Sequence, residues 1–462
     1  MSTDSASRNH ETTTPISQQY IQQLLEENKD IPIQIRNINT VSTSNENTIK
    51  PAILQKYIDA TLIKAETLSD LSTMTETLTT RLLQSNLIKN LQPSFNTCNN
   101  ENKLPLSISS TLYFQPTPKF TARTGTNITN SGQGDAYISF QKRNLFGLEE
   151  TTTLDYRRDT GTNSGSNLSV VLPYGINGDP FWSSKLDIFD VWKNVGVKDL
   201  GLYMGTKSWF DAKNTWNYDL GLEMVKRNFN HKLNSSKVVS DYLLIQEGEF
   251  YKTTLRSTMV WDGRNGKTAP TKGRLFKINN DLGFGTNNLQ FWRHVTEFNL
   301  VKSWLKDDFI TMSNTIKFGY IKNLSQDYIH FTDKFQNGGP NDIRSFQSMG
   351  IGPRHNSYSL GGDAFLSYGV SIFSKLPIQK FHDSNFRLHW FFNGGKLINH
   401  DNASIWNCMQ NLTIENSTSA GVGVVLRHPM ARFEMNFAVP ITDHQDDLTR
   451  KGFQFGLGFE FL

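Results

Sequence analysis

Ala431-Arg-Phe-Glu-Met-Asn-Phe-Ala-Val439 decides the fold class. Phe433, Met435, Phe437 and Val439 alternate with Arg432, Glu434 and Asn436, so an extended chain here has one apolar and one polar face. The same period of two returns at Leu366, Tyr368, Val370 and Ile372, and again at Phe386, Leu388, Trp390 and Phe392. Clusters of Gly, Asn, Asp and Ser separate such runs and mark turns. One face suits lipid and the other a wet interior. A two-sheet sandwich gives any single strand the same alternation, and length separates the two. From Phe120 to Leu462 there are about 340 residues, which at roughly 20 per strand and connection makes about 16 to 18 strands, more than a single sandwich holds. A closed barrel also leaves no unpaired edge in lipid, where each unsatisfied backbone group is costly. The expected fold of residues 119–462 is an all-β transmembrane barrel of antiparallel strands.

Composition agrees. Only 37% of residues are hydrophobic, and no run approaches the 18 or more apolar residues of a membrane-spanning helix. Yet 12% are aromatic, with 31 Phe, which is the dispersed signal of barrel strands. The net charge of +4 comes from 47 basic and 43 acidic residues interspersed along the chain, so no basic stripe argues for nucleic acid. The ten His lack metal-ligand spacing, and there is neither a nucleophile elbow nor a phosphate-cradling loop. No enzyme activity, cofactor or metal is therefore expected. Cys98 and Cys408 stand far apart and are expected to be free thiols.

Residues 1–30 have no apolar secretory core, and their acids outnumber Arg8 and Lys29, so they resemble neither a signal peptide nor an Arg-rich transit peptide. Rich in Ser, Thr, Gln and Asn, they are expected to be a disordered tail. A barrel without a secretory signal points to the outer membrane of a eukaryotic organelle, reached from the cytosol. Residues 31–118 read differently. An alternating strand, Ile31 to Val41, precedes two amphipathic helices: one begins at Pro51 and carries Ile53, Leu54, Tyr57, Ile58 and Leu62; the other follows the capping pair Thr67 and Asp70 and carries Leu71, Met74, Leu78 and Leu82. Extended runs Ile88 to Phe95 and Leu104 to Phe114 complete a small α+β domain, and Pro116 and Pro118 mark its end.

Certain segments resemble a known family. Lys334-Phe-Gln-Asn-Gly-Gly-Pro-Asn-Asp-Ile-Arg-Ser-Phe346, with Gly350-Ile-Gly-Pro353 and Leu360-Gly-Gly-Asp363, resembles the sixth loop and following strand of the outer-membrane β-barrel assembly (bacterial surface antigen) superfamily. Asp262-Gly-Arg-Asn265 and Pro270-Thr-Lys-Gly273 resemble a second hallmark of it. Phe386-Arg-Leu-His-Trp-Phe-Phe-Asn-Gly-Gly395 and Arg427-His-Pro-Met-Ala-Arg-Phe-Glu434 are most similar to its fungal mitochondrial branch, the fifty-kilodalton barrel subunits of the sorting and assembly machinery. The resemblance implies about 16 strands and makes residues 31–118 one polypeptide-transport-associated (POTRA) domain in the intermembrane space. It also implies an integral protein of the mitochondrial outer membrane that folds and inserts β-barrel precursors such as the import pore and porin. The implied partners are those precursors, two peripheral cytosol-facing subunits and membrane lipid. A polypeptide-conducting pore is the alternative function, since related barrels translocate chains.

The family's loop motif is Ile/Val-Arg-Gly-Phe, whereas this chain has Ile343, Arg344, Ser345 and Phe346. If the glycine serves a positive φ, Ser345 must do without that freedom. By itself Arg344 reads as a solvated loop residue. The resemblance instead folds the loop into the lumen, where Arg344 needs acceptors to offset desolvation. Strand parity makes Asp363 and Glu434 the candidates. A barrel closes by pairing its first strand, near Phe120, Thr121, Ala122, Arg123 and Thr124, with its last, which holds Gly456, Gly458, Phe459 and Phe461. Glycines there either weaken the seam or relieve crowding inside a curved wall. With the resemblance, the seam is expected to open laterally and offer its edge to an incoming strand. Gln454-Phe-Gly-Leu-Gly-Phe-Glu-Phe461 also resembles the family's client signal.

Overall fold

A computed structural model describes residues 28–43, 49–85, 87–97, 105–128, 134–146, 149–159, 163–174, 181–193, 196–209, 215–230, 240–266, 269–285, 290–305, 308–325, 329–355, 358–377, 384–400, 404–428 and 431–458. The expected tail lies outside this range apart from a turn at Asn28–Asp30. Cys98, Phe459 and Phe461 lie outside it as well. Two compact units divide chiefly between Lys119 and Phe120, with Phe146 and Glu149 grouped with the first.

The first unit runs β1 (Ile33–Ser42), α1 (Pro51–Ala60), a 3₁₀ turn at Leu62–Lys64, α2 (Leu68–Gln84), β2 (Ile88–Thr97) and β3 (Leu106–Pro116). Pro51 opens α1 where a missing N–H costs nothing. Thr67 and Asp70 form a capping box: Asp70 N–H donates to Thr67 Oγ1 and Thr67 N–H to Asp70 Oδ2, both at 3.1 Å. In the sheet β3 is central, parallel to β1 and antiparallel to β2. The helical stripes bury Tyr57, Leu62, Leu78 and Leu82 against Ile88, Ile108, Leu112 and Phe114 of the strands. Each fully buried Leu contributes about 1.5–3 kcal/mol. This is the α+β unit expected from the sequence.

The second unit is a single antiparallel sheet of 16 strands: β4 (Phe120–Ile128), β5 (Gly134–Arg143), β6 (Thr151–Asp159), β7 (Ser164–Tyr174), β8 (Phe181–Lys193), β9 (Val197–Trp209), β10 (Trp216–Phe229), β11 (Gly248–Asp262), β12 (Gly273–Gly285), β13 (Phe291–Trp304), β14 (Ile310–Asn323), β17 (Ala364–Lys375), β18 (Phe386–Ile398), β19 (Ser417–His428), β20 (Ala431–Thr442) and β21 (Gly452–Gly458). The helix α3 (Asp241–Leu244) precedes β11. A two-residue hairpin, β15 (Arg354–His355) and β16 (Tyr358–Ser359), lies in the long connection between β14 and β17, and α4 (Ile405–Thr413) lies between β18 and β19. An even strand number places the start of β4 and the end of β21 at the same rim. The β14–β17 connection belongs to the far rim, as do α4 and the turn from β20 to β21.

Alternation resolves into two faces. On β20, Phe433, Met435 and Phe437 stand exposed on the outer wall, while Glu434 and Asn436 are buried inside. Trp390 and Phe392 of β18 face out, and His389, Phe391 and Asn393 face in. Cys408 is buried and forms no disulfide. The Asp262–Gly273 hallmark is the β11–β12 turn, which Arg264 closes by donating to both carboxylate oxygens of Asp262 at 2.8 and 2.9 Å. Gly273 has φ +119°, and a Cβ there would stand 2.4 Å from the Gly263 carbonyl oxygen.

Candidate functional site

The connection from Leu324 to Asp363 folds back into the lumen. Its apolar residues Ile329, Phe335, Ile343, Phe346 and Ile351 pack with Phe291, Ile321, Phe365 and Leu397 of the inner wall. Gly395 makes room for this: a Cβ there would come within 2.6 Å of Ile343 Cδ1. Asp342 accepts from Gly338 N–H at 2.8 Å, and Gly339 N–H donates to the Ile343 carbonyl at 3.1 Å, so the motif is presented on a tight turn.

Arg344 is wholly buried and lies among acceptors. Its Nε and Nη2 donate to Glu434 Oε2 at 3.2 and 2.9 Å, and its Nη1 donates to Asn393 Oδ1 at 3.0 Å. The guanidinium also sits 4.9 Å from the Phe391 ring centre. Asn436 Nδ2 donates to the same Glu434 oxygen at 2.8 Å, and Arg432 pairs with Glu434 Oε1. Asn436 in turn meets His389 Nδ1, whose other nitrogen meets Ser371. One carboxylate thus stands between two arginines in a polar network across β17, β18 and β20. The described ion pair of Asp363, the other candidate, is with Lys334 at 3.2 Å. Parity turned both carboxylates inward, but Asp363 immediately precedes β17 at the rim and meets the loop's first half.

Ser345 takes φ +68°, the left-handed conformation that glycine adopts freely. Such a non-glycine residue costs of order 1–3 kcal/mol. Its surroundings hold it there: Ser345 N–H donates to Gln454 Oε1 at 2.9 Å, and Arg450 N–H donates to the Ser345 carbonyl at 2.8 Å. The contact continues as a short backbone ladder. Gln347 N–H donates to the Leu448 carbonyl at 2.9 Å, Leu448 N–H to the Gly350 carbonyl at 2.8 Å, and Gly352 N–H to Asp447 Oδ1 at 3.1 Å. Residues 447–450 lead directly into β21, so the loop tip holds the last strand where it begins.

A second, separate cluster holds the loop's first half. Asp333 accepts from Arg227 Nη1 at 2.8 Å and from Lys252 Nζ at 2.6 Å, and Arg227 Nε reaches Asp199 at 2.8 Å. Arg227 and Asp199 are direct cross-strand partners on β10 and β9. Phe331 N–H donates to Gln246 Oε1 at 2.9 Å beside α3. Burial, and then the charge of Arg227, push the His330 imidazole down to about 3. Burial raises the Asp333 carboxyl, but Lys252 and Arg227 outweigh it and hold it well below the usual range. None of these residues was singled out in the sequence, nor was Asn393, and Gln454 was quoted there only as part of the closing-strand segment and not as a partner of the loop. Asn393 lies inside the quoted Phe386–Gly395 motif at an inward position, which was a usable signal.

At the seam, β4 pairs with β5 and β21 with β20; among the described residues no ladder joins β4 to β21. Phe120 is exposed and stacks on Phe140, with ring centres 6.2 Å apart, and Thr121 Oγ1 donates to Gln141 Oε1 at 3.2 Å. Ala122, Arg123 and Thr124 face Phe140, Ser139 and Ile138 of β5. Gly456 stands opposite Glu434 and Gly458 opposite Arg432. By register both glycines fall on the same side of β21 as Gln454.

A barrel whose lumenal loop grips its last strand defines a class. Residues 121–461 match the model of the Omp85 superfamily domain. The Saccharomyces cerevisiae sorting assembly machinery 50 kDa subunit is 40% identical, over 93% of this chain and 94% of its own. The human sorting and assembly machinery component 50 homolog is 25% identical, over 94% of this chain and 92% of its own. Among solved structures, BamA from Haemophilus ducreyi lacking POTRA domains 1–3 superposes with a TM-score of 0.71 at 16% identity, covering 92% of this chain and 84% of that one. The chain belongs to the Omp85 superfamily and, within it, to the family of the 50 kDa subunit of the sorting assembly machinery.

Proposed function

We propose that this protein inserts β-barrel precursors into the mitochondrial outer membrane, where it is itself an integral protein, through a lateral gate between β4 and β21. The observation that carries the reading is the seam: among the described residues neither strand has a ladder partner on that side. A client strand pairing there would gain backbone hydrogen bonds along that edge, and burial of the client's apolar band would drive release into lipid. No nucleotide or metal is needed. Residues 31–118 would act as a POTRA domain in the intermembrane space. As a subunit of a sorting and assembly machinery it would work with two peripheral cytosol-facing subunits, on clients such as the import pore and porin. The Arg344 loop occupies the lumen beside β17 to β20, which favours insertion over conduction.

Two experiments test this. A labelled barrel precursor should fail to reach the outer membrane in mitochondria depleted of this protein; normal insertion there would refute the function. Cysteines at Thr121 and a facing position of β21 should, when oxidised, lock the seam and block insertion, and full insertion by the locked protein would reject the gate while leaving the function open to another route.

A further inference from the structure

The helix α4 does not enter the lumen. Its buried residues Cys408 and Leu412 pack on Tyr320 of β14 and Ala364 of β17, with Trp292, Phe318, Leu366 and Ile398 around them. Phe318, Tyr320 and Leu366 share their strand faces with exposed Ile316 and Ile372, so they belong to the outer wall. Ala364 begins β17 and Ile398 ends β18. The helix therefore lies against the outside of the barrel, its buried contacts within about 10 Å of the strand ends at the far rim, at about 3.3 Å per residue.

Its apolar arc is wider than the part the wall covers. At about 100° per residue, Leu412, Ile405, Met409 and Trp406 follow Cys408 in order around one side. Ser404, Asn411 and Asn407 occupy the other. Trp406 is 69% exposed, and Ile405 and Met409 are each 43% exposed. The sequence Ile405-Trp-Asn-Cys-Met-Gln-Asn-Leu-Thr413 contains no charged residue that could pair with a protein partner's charges. Thr413 Oγ1, which borders the apolar side, is satisfied internally by the Gln410 carbonyl at 2.8 Å. Outer-wall Lys396 reaches up and donates to the Ile414 carbonyl at 2.8 Å, completing the helix's C-terminal end. Beside the helix the outer wall stays apolar, from Phe318 and Leu366 against it through Tyr368 to exposed Ile316 and Phe392.

From this continuity we infer that α4 is an interfacial anchor, with Ile405, Trp406 and Met409 immersed at the headgroup–acyl boundary of the leaflet at the far rim and Asn407 and Asn411 in water. The occupant of the exposed face is lipid. It requires only that the barrel sits in a bilayer, and not that the seam opens.

The test uses the full chain, with Cys98→Ser and Cys408→Ala, reconstituted in phosphatidylcholine–phosphatidylethanolamine vesicles and spin-labelled singly at 405, 406, 407, 409 and 411. Labels at 405, 406 and 409 should relax with oxygen and resist a water-soluble nickel complex, and those at 407 and 411 should do the reverse. Equal nickel access at all five positions would overturn the proposal. So would labels at 406 and 409 that are wet in vesicles and dry only with other subunits of the machine, since the occupant would then be protein. In protein with its native cysteines, lipids brominated near the headgroup should quench Trp406, one of nine tryptophans. Trp406→Phe should lower the shallow-bromine quenching, and an unchanged quenching would count against the lipid contact.

Discussion

The two ends of the lumenal loop are held by similar chemistry on very different ground. Asp333 docks on β9, β10 and β11, where Arg227 and Asp199 are already fixed as direct cross-strand partners inside a continuous sheet. Arg344 and Ser345 dock on β18, β20 and β21, the last of which has no described neighbour on its other side. One anchor is set in wall and the other in the edge of the seam. The loop is thus a strap from a fixed part of the barrel to the strand that must move if the seam opens. Motion of β21 would have to act against the ladder at residues 447–450 and the Gln454 contact, while the Asp333 cluster stays as it is.

Selective damage should separate the two anchors. The largest effect is expected from Glu434→Ala, which leaves Arg344 and Arg432 buried without their shared carboxylate. A loss of about 3–5 kcal/mol is characteristic of breaking a buried pair. It should appear as a lower denaturant midpoint and as new protease cleavage around residues 343–350. Arg344→Ala should expose the same segment with a smaller loss, because Glu434 keeps Arg432 and Asn436. If the segment stays protected in both variants, the lumenal anchor is not what holds it. Asp333→Asn should cost about 2 kcal/mol, since Arg227 retains Asp199. Its cleavage should begin near residues 329–335 and spare residues 447–450. Cleavage at both places would mean that the strap behaves as one unit.

A smaller, pH-dependent effect belongs to the Asp333 end alone. His330 is held neutral, its value depressed to about 3 against about 6.5 unfolded. The unfolded chain therefore takes up a proton on falling through about pH 6.5 that the folded chain refuses. Stability is fully present above that pH and lost as pH falls toward 3. Arg227, Asp333, Asp199 and Lys193 are the charged groups acting on this imidazole. Thermal midpoints at pH 7 and pH 5 should differ less in His330→Gln than in the parent; an equal difference would assign the slope to other groups. The smallest effect is expected at the tip. Ser345→Gly relieves a left-handed serine and gives up only a 3.4 Å hydroxyl contact to the Arg450 carbonyl, for a net gain of under about 1 kcal/mol. A fall in the midpoint would show that the hydroxyl matters more than the strain.

The two anchors also differ in how far the sequence reveals them. The barrel is legible because alternation is local: Phe433 and Glu434 declare their faces without knowledge of any other strand. The helices of the first unit are legible for the same reason, through Pro51, the Thr67–Asp70 box and the stripes that follow. Parity turned Glu434 and Asp363 inward, but it carries no information about position around the barrel, and only register shows that Arg344 lies with Glu434 and Lys334 with Asp363. The Asp333 cluster was hidden more thoroughly. Its members come from three strands and a loop, and none stands out among 47 basic and 43 acidic residues. The ladder adds the register of Gly456 and Gly458, across from Glu434 and Arg432, which no local pattern in the sequence carries.

The strap also imposes an order on the protein's own making. Residues 343–346 emerge from the ribosome about a hundred residues before Glu434, Arg450 and Gln454, the groups that receive them. Until the C-terminus has been synthesised and β20 and β21 are in place, Arg344 lacks the Glu434 carboxylate and Ser345 lacks the Gln454 and Arg450 contacts that hold its left-handed turn. A chain cut short before β20 would keep its Asp333 docking and lose the other. A docked loop tip therefore reports that the barrel has been completed to its last strand.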